Sequence, residues 1–479
     1  MALLIEDYAL IGDCHTAALV GRDGSIDWLC LPRFDSASTF GALLGSEDHG
    51  RWLLAPVASL TLDGGATCTR RYIRDTFTLV TTWTTPDGEV EVTDLMPHGD
   101  RRADVIRRIR GLSGSVAMHV DLRVRFDYAQ ALPWIRQLPE EGTLALIAVA
   151  GPDAIVVRGP ELTAHDHSHQ ADFTVRAGET VDLSLTWYPA HRKPPKPMSV
   201  SKRIRSTTRW WRSWTAKAKA TTAYPEAVRR SLLVLRALTH EDTGGIVAAA
   251  TTSLPEYFGG ERNWDYRYVW LRDASLTLEV LLDHGFVGEA ESWRRWLLRA
   301  IAGDPADVQI MYGLSGERRL DEYELTSLPG YEGSTPVRVG NGAYLQYQSD
   351  VFGEVMHALS AARRVGVDEK DFSWPLQRAL MNFVEQNWMR PDNGIWEIRG
   401  PQRHFTHSRV MVWAAFDCAI RAVEDFGLDG PAERWRAIRD EVRGEIEARG
   451  FDSTRNTYTQ FYGGTGVDAS LLQLVQVGY

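Results

Sequence analysis

The chain has little cysteine: Cys14, Cys30, Cys68 and Cys418 are scattered through 479 residues with no C-x-x-C pair. That spacing offers no disulfide framework and no metal-knuckle pattern, and it fits reduced thiols in a cytoplasm. Long apolar runs are missing as well; none approaches the ~18 residues of a membrane span. The N-terminus meets Glu6 and Asp7 before any long apolar run and carries no basic region, so no signal peptide is expected. Positive charge is in deficit: 53 Lys and Arg against 63 Asp and Glu give a net charge of −10, which argues against nucleic acid as the main partner. No basic Gly-rich phosphate cradle occurs. The expectation is a cytoplasmic protein with no nucleic-acid or membrane partner. Its oligomeric state is open, a homo-oligomer included.

What is present is a globular composition (44% hydrophobic, 24% charged) in a chain too long for one ordinary core, so two domains are expected. The first half reads as β. Val116, Met118, Val120, Leu122, Val124 and Phe126 alternate with Ala117, His119, Asp121, Arg123 and Arg125, and Val181, Leu183, Leu185 and Trp187 repeat the pattern. Turn signals at Pro86-Asp87-Gly88, Gly111 to Gly114, Gly151-Pro152-Asp153 and Ala177-Gly178 separate short strands, as in an antiparallel sandwich over residues 1–190. The run His165-Asp166-His167-Ser168-His169 could converge on one strand face, but a solvated loop or edge strand explains it better, and no metal is assigned.

A Pro-rich stretch, Pro189 to Pro197, ends the β region. A basic helix with Trp210, Trp211 and Trp214 follows, and residues 191–220 read as a linker laid against an acidic domain rather than a nucleic-acid contact. From Tyr224 the period becomes helical. Val228, Leu232, Leu235 and Leu238 form one stripe, and further helices are expected over about 270–283, 287–302, 343–365, 372–389, 408–427 and 431–449, with a weak one near Val467. The long loops 242–268, 303–341 and 390–407 fall on alternate connections, as they would in a barrel of helical hairpins spanning 221–479.

Those loops hold the candidate residues. Asn263 to Leu281 packs Trp264, Asp265, Tyr266, Arg267, Tyr268, Trp270, Arg272 and Asp273 before an apolar helix. Aromatic faces suit sugar C–H faces, while Arg donates to sugar hydroxyls and Asp accepts from them, each in bidentate fashion. A helix-packing corner explains the same residues equally well. The second loop carries Tyr331, Glu332 and Arg338 in a Gly- and Pro-rich context. In the third, Asp392-Asn393-Gly394 turns the chain into Glu397, flanked by Ile395, Trp396 and Ile398. Apolar flanks disfavour the charged carboxylate and raise its pKa, which suits a general acid. A Glu paired with Arg399 or Arg403 is the alternative. The 17 tryptophans fit either carbohydrate handling or large helical cores.

Several motifs occur in order: Ile5-Glu6-Asp7-Tyr8-Ala9-Leu10-Ile11-Gly12-Asp13, Gly24-Ser25-Ile26-Asp27-Trp28, Asn263-Trp264-Asp265-Tyr266-Arg267, Trp270-Leu271-Arg272-Asp273-Ala274, Arg338-Val339-Gly340-Asn341 and Gly394-Ile395-Trp396-Glu397. Together they resemble glycoside hydrolase family 15, in its bacterial glucoamylase-like and trehalase-like branch. The resemblance implies a β-sandwich followed by an (α/α)6 toroid, no cofactor, and hydrolysis of a terminal α-glucosidic bond with inversion on a small carbohydrate. α,α-Trehalose is the leading substrate, with glucoamylase or isomalto-oligosaccharide activity as neighbours. An inverting disaccharide phosphorylase and an inactive sugar-binding remnant are more distant alternatives. By the same resemblance Glu397 is the general acid, Arg272 and Asp273 hold the terminal glucose, and Trp264, Trp270, Tyr331, Glu332 and Arg338 line the substrate site. The family's toroid has twelve helices where about eight are read here, and no residue matches its general base. The expectation is therefore an incomplete toroid whose base lies beyond Tyr479, with Glu332 or Asp468 as substitutes should the chain prove active.

Overall fold

The computed structural model describes residues 2–61, 63–99, 101–140, 142–221, 223–367 and 373–479. Two compact units form. One contains Met1–Asp242, Ala249–Arg267 and Glu322–Gly340; the other contains Thr243–Ala248, Tyr268–Asp321 and Asn341–Tyr479. These units are discontinuous in sequence, so they differ from the expected segments 1–190, 191–220 and 221–479. Helices α1 (Val200–Thr215) and α2 (Pro225–Ala237) and parts of two long loops cluster with the β unit. The physical reason is aromatic and ionic. Trp210 of α1 stacks on His98 with ring centroids 3.5 Å apart, while Arg230 of α2 lies 4.0 Å over the Tyr72 ring.

The β unit opens with β1 (Tyr8–Gly12), β2 (Ala17–Gly21), β3 (Ser25–Cys30), β4 (Ser38–Phe40) and β5 (Arg51–Pro56). It continues with β6 (Thr67–Tyr72), β7 (Leu79–Thr85), β8 (Gly88–Leu95), β9 (Asp104–Arg123) and β10 (Trp134–Glu140). The last of this series are β11 (Thr143–Ala150), β12 (Asp153–Arg158), β13 (Thr163–His165), β14 (Ser168–Arg176) and β15 (Thr180–Pro189). All pairings are antiparallel, and β9 joins two layers. Its first half lies between β8 and β15, and its second half between β5 and β14.

The Gly111–Gly114 stretch, expected as a turn, is the crossing point inside this one strand. Inward residues change from odd (Val105, Ile109) to even (Val116, Met118, Val120, Leu122) across it, so the strand switches faces without ending. Glycine is required there: a Cβ on Gly111 would sit 2.0 Å from the Arg176 carbonyl oxygen, and Gly114 has φ +61°. The strand stops at Arg123 rather than Phe126, which makes an isolated bridge to Ala131. The histidine run falls on the β13–β14 hairpin, where Asp166 and His167 take positive φ, so its three histidines do not share one strand face.

In the second unit, α3 (Leu271–Asp283), α5 (Asp350–Arg364) and α7 (Thr406–Glu424) pack side by side in that order. α4 (Val287–Ala300), α6 (Ser373–Asn387) and α8 (Ala432–Arg449) back them. Burial follows composition. Nearly every residue of α5 and α7 is buried, whereas α8 buries only Trp435, Val442 and Ile446. All-round apolar helices belong inside and amphipathic ones outside, which gives the hairpin layering the spacing implied. Residue 372 of the expected 372–389 helix lies outside the described residues. The weak terminal helix is a 3-10 turn, Ala469–Leu472, followed by α9 (Gln473–Gln476). Among the described residues no helix is long and apolar enough to cross a membrane, and no disulfide joins the four cysteines.

Candidate active site

The Asn263–Leu281 stretch is shared between the units at Arg267 and Tyr268. Its first part is architectural. Asp265 and Arg267 are both fully buried, with Arg267 Nε 2.9 Å and Nη2 2.7 Å from the two carboxylate oxygens. Arg267 also donates to the Ser36 carbonyl (2.8 Å) and the Tyr128 hydroxyl (2.8 Å). These charges need no ligand to satisfy them. Removing one member of such a pair strands the other, at about 3–5 kcal/mol. Arg267→Met is therefore expected to lower stability by that amount in denaturant melts; a change under about 1 kcal/mol, the value of an exposed pair, would contradict it.

The other candidates of the β unit are held by intramolecular contacts. The Arg338 guanidinium lies 4.6 Å over the Trp264 ring and donates to the Glu261 carbonyl at 2.6 Å. Tyr331 is fully buried, with its hydroxyl donating to the Leu3 carbonyl at 3.0 Å. Its observed contacts are thus intramolecular. Glu332 stands exposed at φ 49°.

The second unit brings four candidates together. Short strand β16 (Val269–Trp270), paired with β17 (Met311–Tyr312), feeds straight into α3. Arg272 and Asp273 therefore fall in the helix's first turn, where a carboxylate is favoured. Trp270 is buried, and its indole N–H donates to Glu397 Oε1 at 2.5 Å. Arg272 Nη2 lies 3.1 Å from Asp273 Oδ2 and 3.6 Å from Glu397 Oε1, and Nη1 donates to the Ile395 carbonyl at 3.0 Å. Glu397 thus faces Arg272, while the Arg403 guanidinium sits 4.3 Å over the Phe461 ring.

Glu397 is delivered by a tight turn. Gly394 has φ +68° and a Cβ there would come within 2.7 Å of the Phe405 ring. Glu397 itself has φ +56°, a conformation that costs a side-chain-bearing residue about 1–3 kcal/mol and persists where surroundings enforce it. Here the Glu397 N–H bonds the Gly394 carbonyl at 3.0 Å, and the Gln346 amide donates to the Glu397 carbonyl at 3.1 Å.

Burial pushes the Glu397 carboxyl pKa above the ordinary value, against the pull of Arg272 and the Trp270 hydrogen bond. The expected direction holds but its source differs. Trp396 and Ile398 are 55% and 38% exposed, so the sequence neighbours do not bury the carboxyl. Asp350 and Glu354, both buried on α5, are also raised chiefly by burial, Glu354 well above its usual range. Arg272 is held protonated against its own burial by Asp273 and Glu397, then by Asp350 and Glu354. Burial thus favours the protonated form of Glu397, and a protonated carboxyl beside the Arg272–Asp273 pair can donate to a leaving oxygen.

The sequence reading passed over Asp350, Glu354 and Gln346. The first two had a visible signal: carboxyls four apart share a face of an otherwise apolar helix. Elsewhere, Cys14, His98 and Glu241 place ligand atoms within 4.8 Å of one another, but Arg236 donates to Glu241 and its fixed charge opposes a metal ion there.

With this geometry in place, the comparisons bear on it. The model for glycosyl hydrolases family 15 matches residues 222–479, and the model described as trehalase-like, N-terminal matches residues 1–210. The chain belongs to glycosyl hydrolases family 15. Among its family-15 relatives, the trehalase of Mycolicibacterium smegmatis is 34% identical over 98% of this chain and 74% of its own length. The trehalase of Thermoplasma volcanium is 32% identical over 99% of this chain and 76% of its own length. A bacterial glucoamylase crystallised with acarbose shares the fold at TM-score 0.70 and 11% identity, covering 98% of this chain and 71% of that one. The family-15 chain is accordingly a glycoside hydrolase with a β-sheet domain followed by a helical domain.

Proposed function

We propose that this chain is an inverting α,α-trehalase in which Glu397 is the general acid and Arg272 with Asp273 hold the terminal glucose. The observation that carries the proposal is the Glu397 carboxyl, hydrogen-bonded to Trp270, 3.6 Å from Arg272 and raised in pKa by burial. The trehalase relatives supply the substrate. Glu397 passes its proton to the glycosidic oxygen as the C1–O bond breaks, and a water attacks C1 from the opposite face, giving its proton to a second carboxylate, a role assigned to no residue of this sequence. Inversion requires that second group ~6.5–9.5 Å from the acid. The reduced-thiol reading supports a cytoplasmic location.

The test is glucose release from trehalose, maltose and isomaltose, with the anomers followed by NMR. Trehalose is expected to give one β- and one α-glucose per turnover. Two α-glucose products, or a sugar phosphate formed only when phosphate is added, would overturn the proposal. Within it, Asp273→Ala removes a charged acceptor of sugar hydroxyls, a loss of about 1.5–3 kcal/mol per bond. The fall in kcat/KM is expected for every substrate sharing the non-reducing glucose. A fall confined to one substrate would move the pair to an outer subsite.

A further inference from the structure

The acid-bearing turn has one more anchor, on a side chain that burial does not hold. Trp396, immediately before Glu397, is 55% exposed, yet its indole N–H lies 3.0 and 2.8 Å from the two oxygens of Asp468. Asp468 is itself fixed. It accepts from the Ser470 backbone N–H at 2.8 Å as cap of the 3-10 turn, and from the Gln460 amide at 2.7 Å. Burial opposes its charge, but these donors together outweigh it and hold the carboxyl below its ordinary pKa, as an ionised acceptor. An exposed indole has several accessible rotamers, and a charged acceptor that engages it selects one.

Glu397 stands in a backbone conformation that its surroundings must enforce. Arg272 and Gln346 hold the turn through the carbonyls of Ile395 and Glu397. Asp468 is the partner that holds the intervening Trp396 side chain. We propose that Asp468 is a positioning residue for the general acid: by pinning the Trp396 indole it keeps the 394–398 turn in the form that aims Glu397 at Trp270 and Arg272. The proposal rests on the general-acid reading of Glu397. It assigns Asp468 no proton transfer, in contrast to the substitute-base role considered from sequence.

Three variants test it in the full chain. Asp468→Ala removes the acceptor, Trp396→Phe removes the donor, and Asp468→Asn keeps a single acceptor oxygen, which with Oδ1 retained can serve both the indole and the Ser470 N–H while giving up the bond from Gln460. Misplacement of a reacting group by an ångström costs about a hundredfold. Asp468→Ala and Trp396→Phe are each expected to lower kcat on trehalose about 10- to 100-fold with KM within about twofold, and Asp468→Asn to restore most of the loss. The double variant should lose no more than either single one, because both act through one contact. Glucosyl fluoride, whose leaving group needs little protonation, should be hydrolysed nearly as by the parent. A second readout needs no turnover: hydrogen exchange at the amides of 395–398 should accelerate in both single variants and return in Asp468→Asn. Additive losses, an equal loss on fluoride, or unchanged exchange in Trp396→Phe would overturn the proposal. Failure of the general-acid reading would show separately, as Glu397→Gln retaining turnover of trehalose while the exchange result stands.

Discussion

Glu397→Gln is expected to lower kcat on trehalose by about 100- to 10,000-fold while leaving KM nearly unchanged, the range spanned by loss of a positioned proton donor. The amide keeps the side chain's shape and an oxygen for the Trp270 indole, so the turn and the neighbouring Arg272 have little reason to move. Glucosyl fluoride should recover much of the rate. The same substitution has a pH signature in stability. The folded-state pKa of Glu397 is raised, so between the ordinary carboxylate value and the raised one the folded chain holds a proton the unfolded chain has lost. Stability therefore falls as pH rises through that window, and Gln should remove this contribution to the slope. Wild-type turnover in the variant, or the same slope in denaturant midpoints, would end the assignment.

Arg272→Met is expected to cost about 3–5 kcal/mol near neutral pH as well as sugar binding, because it strands buried carboxylates around one lost cation. Asp273 and Glu397 lie 3.1 and 3.6 Å from that guanidinium, and Asp350 and Glu354 are buried with Arg272 lowering the pKa of each. Without Arg272 the folded-state pKa values of Glu397, Asp350 and Glu354 rise further above the unfolded ones, so more protons bind on folding and the deficit grows with pH. Denaturant melts should show a smaller loss at about pH 5 than at about pH 8. Arg272→Lys keeps the charge without the planar fork, and is expected to recover stability better than activity. A loss independent of pH would indicate packing rather than charge.

The elements most legible in sequence were those whose pattern is local. The alternating runs around Val116 and Leu183 marked real strands, and the helices of the second half fell close to their expected bounds. The exceptions have local causes that only pairing reveals. Gly111–Gly114 looks like a turn but is a strand crossing two layers, because each half finds different partners. The tryptophans were ambiguous between core and sugar platform. Twelve of the 17 are buried, Trp270 at the candidate site among them, so most of that excess serves packing.

By itself the sequence determined the order of β and helical halves, the family motifs, and Trp270, Arg272, Asp273 and Glu397 as residues to watch, since periodicity and short motifs are written within a few residues of chain. Tertiary structure alone decided how the side chains of those motifs are paired and buried. It buried Asp265–Arg267 as a satisfied ion pair, closed Tyr331 among its neighbours, and clustered α2 with the β unit. It also brought Trp270, Arg272 and Asp273 against Glu397 from more than a hundred positions away, and set Asp350, Glu354 and Asp468 around them. Burial is the physical reason. A carboxyl's proton affinity and an arginine's partners depend on which surfaces close over them, and the residues that close over Glu397 are not its neighbours in sequence.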